Sequence, residues 1–464
     1  MDTQESSTTA RGFTVVTLET PTLGDRSYLV HDGELAFVID PQRDLDRIEA
    51  LLVEQDVRLQ AVFETHLHND YVSGGHALAA KHGAAYYVNG ADEVSFDREP
   101  ISDGETVAIG SRMRITAVST PGHTFTHLSY ALHEAGQGAD QSEAVFSGGS
   151  MLFGATGRPD LLGPDHTHAL AHHQHDSVNR LADLLPDDTE VYPTHGFGSF
   201  CSATPTQALN STVGIERTTN PALTQDVATY VDQMLAALDS WPAYYAHMGP
   251  LNASGQPAAD LTAPAEVDAA EVRRRLEAGE WVVDLRTRTA FAAAHAPGTF
   301  NVGADGSLAT YLGWIIPWGT PLTLVGESVE QVAEAQRELS RIGIEGIRGQ
   351  ATGDPATWSD RPLESFPRAT FADLAQVRHH RAVHVLDVRR ELEYAEAHLP
   401  DAQNVPLHSL VDRIDEVPAG EVWVHCAGGY RASIAASILA AAGRRPIAVD
   451  DAFDEAHTLG LVER

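Results

Sequence analysis

Histidines and one aspartate end three separate apolar segments in the N-terminal half of the chain. The segment AVFETHLHNDYVSGG (61–75) carries His66, His68 and Asp70 at every second position. His123, in STPGHTFTHLSY, and His195, in VYPTHGFGSF, each follow a further apolar segment. Alternate side chains of an extended segment share a face, and imidazole and carboxylate groups are common ligands of zinc and iron. The sequence therefore predicts a fold in which three strand ends meet around one metal site.

The pattern of short strands and helices over residues 13–200 indicates an α/β fold. SYLVHDGELAFVIDP (27–41) predicts two strands joined at Asp32-Gly33, and LQAVFET (59–65) predicts a buried strand. DLDRIEALLVEQD (44–56) has apolar residues at helical spacing. A helix is predicted over residues 224–241, and GPLNASGQPAADLTAP (249–264) predicts a linker because Gly, Pro, Ala and Ser dominate it.

An internal repeat follows the predicted linker. VVDLRTRTAFAAAHAPGTFNV (282–302) aligns without a gap with VLDVRRELEYAEAHLPDAQNV (385–405). The repeat predicts two tandem α/β domains of about one hundred residues each. The matching pairs are Asp284/Asp387, Arg286/Arg389, Phe291/Tyr394, His295/His398 and Asn301/Asn404.

The second repeat contains a cysteine in a loop between a predicted strand and a predicted helix, EVWVHCAGGYRASIAASILAAAG (421–443). Gly428 and Gly429 let backbone amides turn inward, and Arg431 lies five residues after Cys426. Converging amides and a helix N-terminus stabilise negative charge, which favours a thiolate or a persulfide anion. The alternative is a buried structural cysteine. In the first repeat the aligned position is Gly326, so that domain is predicted to lack this chemistry.

Composition excludes some partners. The 464 residues include 31 basic and 65 acidic side chains, a net charge of −34, which disfavours nucleic acid and anionic lipid as partners. Two cysteines are too few for a disulfide framework, which favours a reducing cytoplasm. We expect no signal peptide and no membrane span, because the sequence shows neither a basic segment followed by an apolar one at its start nor a long apolar run.

The C-terminal repeat resembles the rhodanese family of sulfurtransferases in three segments: LDVR with Asp387 and Arg389, AHLPDAQNVP, and the loop from Cys426 to Arg431. Four residues separate the cysteine from the arginine, as in the sulfur-transferring members, whereas the related phosphatases have a longer loop. The resemblance implies that Cys426 carries the sulfane sulfur and that Arg431 steadies the anion. It also implies that the intervening backbone binds the sulfur group, through Ala427, Gly428, Gly429 and Tyr430.

Residues 13–200 resemble the metallo-β-lactamase fold, an αββα sandwich with metal ions at strand ends. Within that superfamily the sequence is most similar to the persulfide dioxygenases, in THLHNDYVSGG, TPGHT, GRPDLLG (157–163) and the fused rhodanese repeats. Members of that group oxidise glutathione persulfide to sulfite with dioxygen at one iron. The resemblance implies the same substrate class here, with thiosulfate as a partner of the rhodanese domain.

Two positions depart from the family pattern. Tyr71 stands where many members have a histidine, so a second metal is not expected. VFSGGSMLF (145–153) places Gly149 where the family has an aspartate ligand, so the usual set of two histidines and one carboxylate is incomplete. The ligands left for one metal are His66, His68 and His123, with Asp70 or His195 able to compensate.

Arg158, in GRPDLLG, resembles a residue that pairs with substrate in the dioxygenases. Its guanidinium suits a glutathione carboxylate through a bidentate contact. The alternative is an ordinary loop arginine held by Asp160.

Three hypotheses therefore remain for the first domain. It is a persulfide dioxygenase-like enzyme with one iron, a zinc-dependent thioester or lactone hydrolase resembling glyoxalase II, or a metal-free scaffold that serves the sulfurtransferase. The metal is thus expected to be iron, with zinc as the alternative and weak or absent binding as a third outcome. The overall prediction is an αββα metallo-β-lactamase domain (1–250), a rhodanese-like domain without a catalytic cysteine (263–365) and a rhodanese domain with Cys426 (369–464). The sequence leaves the oligomeric state open.

Overall fold

The computed structural model describes residues 5–10, 12–202 and 208–463. The chain divides into two compact units: Met1–Ala259 with Ser340–Gly343, and Asp260–Leu339 with Ile344–Arg464. Within the described residues, no helix combines the length and the apolar character needed to cross a bilayer.

The first unit contains two sheets. The seven-stranded sheet has its strands in sequence order: β1 (Glu5–Ala10), β2 (Phe13–Thr20), β3 (Asp25–His31), β4 (Leu35–Ile39), β5 (Arg58–Phe63), β6 (Ala85–Asn89) and β7 (Glu99–Ile101). The five-stranded sheet has the order β14-β11-β10-β9-β8, with β8 (Thr106–Ile109), β9 (Met113–Ser119), β10 (Leu128–Glu134), β11 (Ala144–Gly148) and β14 (Glu190–Pro193). A short hairpin joins β12 (Met151–Leu152) to β13 (Ala155–Thr156).

Aromatic side chains fill the space between the two sheets. Phe63 on β5 packs on Tyr130 of β10 with ring centroids 5.1 Å apart, and Phe37 on β4 packs on Phe146 of β11 at 6.0 Å. The alternation of side chains along each strand directs these rings inward and the next residues outward. Each outward face is then available to a layer of helices.

Helices cover both outer faces. Leu51 of α1 and Leu78 of α2 pack on the outer residues of the first sheet, and Val178 of α3 and Tyr230 of α6 pack on those of the second. This arrangement confirms the predicted αββα sandwich. The helices are α1 (Asp46–Glu54), α2 (Gly75–His82), α3 (Pro164–Leu184), α4 (Val213–Thr219), α5 (Pro221–Thr224), α6 (Val227–Ala236) and α7 (Tyr245–Ser254).

Helix α7 corrects the predicted linker, because residues 249–254 are helical. Asn252 explains the difference. Its side-chain amide donates to the carbonyl oxygens of His68 and Tyr71, both at 2.8 Å, and its Oδ1 accepts from the Ser73 amide at 2.8 Å. A segment whose composition resembles a linker is thus anchored by one buried side chain to the loop that carries the predicted metal ligands.

The second unit contains two parallel sheets. The first has the order β16-β15-β17-β18, with β15 (Trp281–Asp284), β16 (Phe300–Asn301), β17 (Leu322–Gly326) and β18 (Ile347–Thr352). The second has the order β19-β23-β22-β20-β21, with β19 (Arg368–Ala369), β20 (His384–Asp387), β21 (Gln403–Asn404), β22 (Glu421–His425) and β23 (Arg445–Val449). The helices are α8 (Ala269–Glu277), α9 (Arg288–Ala293), α10 (Leu308–Ile315), α11 (Val329–Arg341), α12 (Phe371–His380), α13 (Glu391–Glu396), α14 (Tyr430–Ala441) and α15 (Phe453–Thr458).

The repeated residues make the same contacts twice. Arg286 donates to Asp284 at 2.6 Å, and Arg389 donates to Asp387 at the same distance. Asn301 and Asn404 each donate at 3.0 Å to the backbone oxygen of the corresponding aspartate. We call residues 263–365 the first repeat copy and residues 369–464 the second; their bounds and the three-domain division stay predictions.

Candidate metal centre and cysteine loop

Four histidines from distant parts of the first unit meet at one point. His66 and His68 follow β5, His123 follows β9 and His195 follows β14, and all four side chains are buried. The ring centroid of His66 lies 4.1 Å from that of His68, 4.8 Å from that of His123 and 5.4 Å from that of His195. The strand ends that carry these residues therefore lie together, as the sequence predicts.

In His66 and in His123, the ring nitrogen that points away from the cluster contacts an oxygen atom. His123 Nδ1 lies 2.8 Å from the Arg158 carbonyl oxygen, and His66 Nδ1 lies 2.9 Å from Thr65 Oγ1. The inner nitrogens face the cluster: His66 Nε2 lies 3.4 Å from His195 Nε2, and His123 Nε2 is buried without a hydrogen-bond partner among the described residues. Burial and the nearby His195 lower the pKa of His123 to about 3, so its ring is neutral and its lone pair is available.

His68 is oriented by acidic groups. Its Nε2 lies 3.2 Å from Asp40 Oδ1, 3.4 Å from Glu64 Oε2 and 3.0 Å from the Tyr71 hydroxyl. Burial lowers the pKa of His68, but the two carboxylates outweigh it and raise that pKa to about 9. Its Nδ1 has no hydrogen-bond partner among the described residues and lies 3.9 Å from Asp70 Oδ1. A metal ion binding at Nδ1 would displace a proton from it.

Two carboxylates hold His195. Its Nδ1 lies 2.9 Å from Asp25 Oδ1 and 3.1 Å from Asp70 Oδ2. Burial lowers the pKa of His195, but Asp70 and Asp25 raise it to about 10, and burial together with the charge of Asp70 raises the pKa of Asp25 to about 7. Asp70, predicted as a metal ligand, thus has one oxygen on His195, while its Oδ1 is buried without a hydrogen-bond partner in the described part of the chain, 3.9 Å from His68 Nδ1.

Gly149 lies against the His123 ring. A side chain added at Gly149 would begin 2.4 Å from His123 Cδ2, far inside van der Waals contact. The Gly149 backbone is fixed, since its N–H donates to His127 Nε2 at 2.9 Å and its carbonyl accepts from Gly157 at 3.0 Å. The missing carboxylate and the position of His123 are therefore linked: the ring occupies the space that a side chain at position 149 would need.

Cys201 reaches the same cluster, although no sequence motif marks it. One donor atom each of His123, His195 and Cys201 lies within 4.8 Å of the others, and a second group of this kind contains His66, His68 and His195. Burial and the charge of Asp70 raise the pKa of the Cys201 thiol. Its position six residues after His195 is the sequence signal that indicates this placement.

The Arg158 side chain is buried and forms hydrogen bonds within the protein. Its Nε and Nη2 donate to the two carboxylate oxygens of Asp160 at 2.7 and 2.8 Å, and its terminal nitrogens also donate to the carbonyl oxygens of Phe200 and Asp239. The side chain is only 4% exposed. This geometry favours the alternative of a loop arginine held by Asp160, and substrate binding by Arg158 would require breaking that pair.

The cysteine loop of the second repeat copy directs N–H groups at the sulfur. Cys426 follows β22, and its Sγ accepts from the Gly429 amide at 3.1 Å and from the Ala432 amide at 3.4 Å. Gly429 has a φ of +90°, which permits the turn into α14. Backbone donors converging on one sulfur stabilise negative charge there, so the loop has the geometry that a thiolate or persulfide anion requires.

Arg431 is paired with Glu393. Its two terminal nitrogens donate to the two carboxylate oxygens at 2.7 and 2.8 Å. Burial raises the pKa of Glu393, but the Arg431 guanidinium outweighs it and lowers that pKa to about 2. The first repeat copy has Gly326 at the end of β17 where the second has Cys426, so it presents no thiol.

Comparisons with known proteins agree with this architecture. Residues 23–195 match the Metallo-beta-lactamase superfamily, and residues 370–457 match the Rhodanese-like domain. The chain is 33% identical to a hydroxyacylglutathione hydrolase of Gloeobacter violaceus over 202 residues, which cover 40% of this chain and 79% of that protein. It is 30% identical over 179 residues to a probable polyketide biosynthesis zinc-dependent hydrolase of Bacillus velezensis, covering 37% of this chain and 72% of that protein.

One solved structure extends the similarity further along the chain. A metallo-beta-lactamase from Staphylococcus aureus superimposes with a TM-score of 0.66 at 27% identity, and the match covers 74% of this chain and all of that one.

A side chain at position 149 should disturb the histidine cluster. We expect Gly149→Ala to destabilise the first unit by about 1–3 kcal/mol, because the added methyl group overlaps the His123 ring. Gly90→Ala is the matched control, since its Cβ would approach no atom closer than 3.4 Å. Denaturant unfolding measures the difference, and equal stability of the two variants would contradict the placement of His123.

The Glu393–Arg431 pair should make the second unit sensitive to acid. The pKa of Glu393 falls from an ordinary value of 4.5 to about 2, so its stabilising contribution is complete above pH 4.5 and is lost as the pH falls towards 2. By linkage the contribution is about 3 kcal/mol. We expect Glu393→Gln to remove this pH dependence, as measured by urea unfolding between these limits; an unchanged dependence would reject the pair.

Proposed function

The chain belongs to the metallo-beta-lactamase superfamily, and on that premise we propose that it is a sulfur-handling enzyme with two centres. In this proposal the first unit processes a low-molecular-weight thiol or persulfide with the help of one metal ion. The second repeat copy transfers sulfane sulfur at Cys426, and the first repeat copy is a rhodanese-like domain that has lost its thiol. The observation that carries the proposal is the pair of backbone N–H groups directed at the Cys426 sulfur.

The proposed transfer at Cys426 needs a nucleophile and an anion site. The Cys426 thiolate attacks the outer sulfur of thiosulfate, a new S–S bond forms, the old S–S bond breaks, and sulfite leaves with the bonding electron pair. The product is a persulfide anion, which the Gly429 and Ala432 amides can stabilise as they do the thiolate. A second nucleophile, such as cyanide or a thiolate, then takes the outer sulfur and restores Cys426.

The histidine cluster of the first unit fits a single metal ion. The nitrogens offered to it are neutral or exchangeable, and two of them, His68 Nδ1 and His123 Nε2, are buried without a hydrogen-bond partner among the described residues. An unpartnered buried nitrogen is costly unless something binds it. We propose His66, His68, His123 and His195 as the residues that would hold the metal, with Asp70 and Asp25 orienting His195 from outside.

For the first unit we propose persulfide oxidation: glutathione persulfide, dioxygen and water give glutathione, sulfite and two protons. A bound iron would supply the activation of dioxygen. The residues of the chain would hold the thiol and exclude bulk water, since the site is buried. The fused cysteine loop supports this function over a plain hydrolase, because it produces or consumes the same class of sulfur compound.

A second candidate is hydrolysis of a glutathione thioester by a zinc-bound water. Two observations favour it: Gly149 offers no carboxylate to complete the two-histidine, one-carboxylate set of non-haem iron oxygenases, and the relatives at 30–33% identity have hydrolase names. Imidazole-rich sites suit zinc.

Cys426 should be essential for sulfur transfer. We expect wild-type protein to form thiocyanate from thiosulfate and cyanide, and Cys426→Ser to lower the rate at least about a thousandfold, because it removes the nucleophile. Cys201→Ser, the other cysteine of the chain, is the control and should retain the rate. Equal rates for wild type and Cys426→Ser would reject the sulfurtransferase.

The metal should identify the reaction of the first unit. We expect about one metal ion per chain in freshly purified protein, with a large loss in His123→Ala and no loss in His166→Ala, whose side chain lies exposed on α3. Iron together with oxygen uptake on glutathione persulfide supports the dioxygenase. Zinc with thioester hydrolysis supports the second candidate. Metal-free protein that transfers sulfur normally would reject both.

A further inference from the structure

The first repeat copy packs against the cysteine loop of the second. The hydroxyl of Tyr430, which opens α14, donates to the Gly303 carbonyl oxygen at 2.7 Å. A side chain at Gly306 would begin 2.4 Å from the Tyr430 ring, and the Tyr311 ring lies 5.7 Å from it. The segment after β16 therefore forms part of the surroundings of the loop, although the copy that contains it has no thiol of its own.

Arg288, the first residue of α9 in the first repeat copy, reaches the same loop through one carboxylate. Its Nε donates to Asp450 Oδ1 at 2.8 Å. Asp450 borders the loop so closely that a side chain at Gly429 would begin 2.1 Å from Oδ1. The Gly429 amide in turn donates to Cys426 Sγ. One carboxylate and one peptide group thus separate the Arg288 guanidinium from the reactive sulfur.

The terminal nitrogens of Arg288 make no hydrogen bond among the described residues, because only its Nε donates to Asp450. Asp450 also pairs with Arg368, so one carboxylate serves two guanidinium groups, and the only other acidic contact of Arg288 in the described residues is Asp305 at 3.8 Å. The hydrogen bond with Asp450 raises the pKa of Arg288, and Asp305 and Cys426 add to it. The Arg288 side chain is 32% exposed, so a solute can reach it.

Arg431, the arginine of the cysteine loop itself, is less available to an anionic substrate. Both terminal nitrogens of Arg431 are used by Glu393, which also contacts Arg390 at 3.2 Å. A chain with a net charge of −34 repels anions over most of its surface. An anionic sulfur donor therefore needs a local cation near Cys426, and Arg431 is already paired.

We propose that the first repeat copy is a substrate-recognition element of the sulfurtransferase, in which Arg288 binds the anionic group of the sulfur donor beside Cys426. The inference rests on the sulfur transfer proposed for Cys426. The ligand class is an oxyanion or a carboxylate attached to the leaving sulfur, as in thiosulfate or a carboxylate-bearing persulfide. A guanidinium binds both groups well because its N–H donors match two oxygens. Arg288 touches the part of the donor that does not react, so it determines binding and specificity rather than bond breaking.

The test is the kinetics of Arg288→Gln. We expect the KM for thiosulfate to rise roughly threefold to tenfold at low ionic strength, the loss of one partly exposed charged contact, with kcat changed less than about twofold. Arg288→Lys should recover part of the loss because it keeps the charge. The control is Arg274→Gln, which removes an equal charge paired with Glu271 on α8 of the same copy. A persulfide of an uncharged thiol should show the same KM in wild type and Arg288→Gln.

A binding measurement separates this inference from the activity on which it rests. Sulfate, balanced with chloride at constant ionic strength, should slow the alkylation of Cys426 by neutral iodoacetamide, and Arg288→Gln should need roughly threefold to tenfold more sulfate for the same protection. Protection that depends on Arg288 in a protein without thiocyanate formation would reject the proposed activity and retain the anion site.

Three results would overturn the inference. The first is an unchanged KM for thiosulfate in Arg288→Gln. The second is an equal loss with charged and uncharged donors, which would indicate a structural role through Asp450. The third is sulfate protection that is absent or independent of Arg288.

Discussion

The paired carboxylates on Nδ1 of His195 are the interaction on which the candidate metal centre depends. Asp25 comes from β3, Asp70 from the loop after β5 and His195 from the end of β14, so three segments of both sheets meet in one set of contacts at 2.9 and 3.1 Å. A buried charge without a partner costs several kcal/mol, and truncating one member of a buried pair typically costs about 3–5 kcal/mol. These contacts therefore connect the two sheets. They also fix the direction of His195 Nε2, the ring nitrogen that faces the cluster.

Asp40 holds the His68 ring as Asp25 and Asp70 hold that of His195. It contacts His68 Nε2, accepts from the Thr65 amide at 2.7 Å, and accepts from the Thr194 hydroxyl on the far side of the site. Asp40 and Glu64 thus act on His68 Nε2, whereas Asp70 Oδ1 lies 3.9 Å from His68 Nδ1, the nitrogen offered to the metal. Position 149 offers no carboxylate, and the carboxylates of the site are those that contact His68 and His195: Asp25, Asp40, Glu64 and Asp70. A carboxylate in contact with a histidine ring raises the basicity of that histidine.

Residue spacing predicts the histidines of the site, whereas packing brings in the groups that hold them. His66, His68, His123 and His195 are recognisable because each ends an apolar segment, and strand ends in such a fold share an edge. Asp25 and Glu64 carry no motif, and only the tertiary structure brings them to the rings. The role of Asn252 is not visible in the sequence. Composition describes a whole segment, whereas the anchoring of this segment depends on one residue. The sequence leaves two interpretations of Arg158 open. It shows a bidentate partner two residues away, but it does not show that the Arg158 side chain is buried.

Comparison of the two repeat copies shows which residues keep the same contacts and which position differs. Both copies keep the aspartate–arginine pair with nearly identical distances, and both keep the asparagine that closes onto it, as required of residues that hold a strand end in place. The thiol position differs, with Gly326 in one and Cys426 in the other. The first copy, which has no thiol at this position, presents a different group near the cysteine loop of the second. This group is Arg288, two residues after the shared arginine of the first copy. Its carboxylate partner, Asp450, belongs to the second copy. Arg288 therefore extends from the first copy to the second, and the loop that it reaches through Asp450 is the one that contains Cys426.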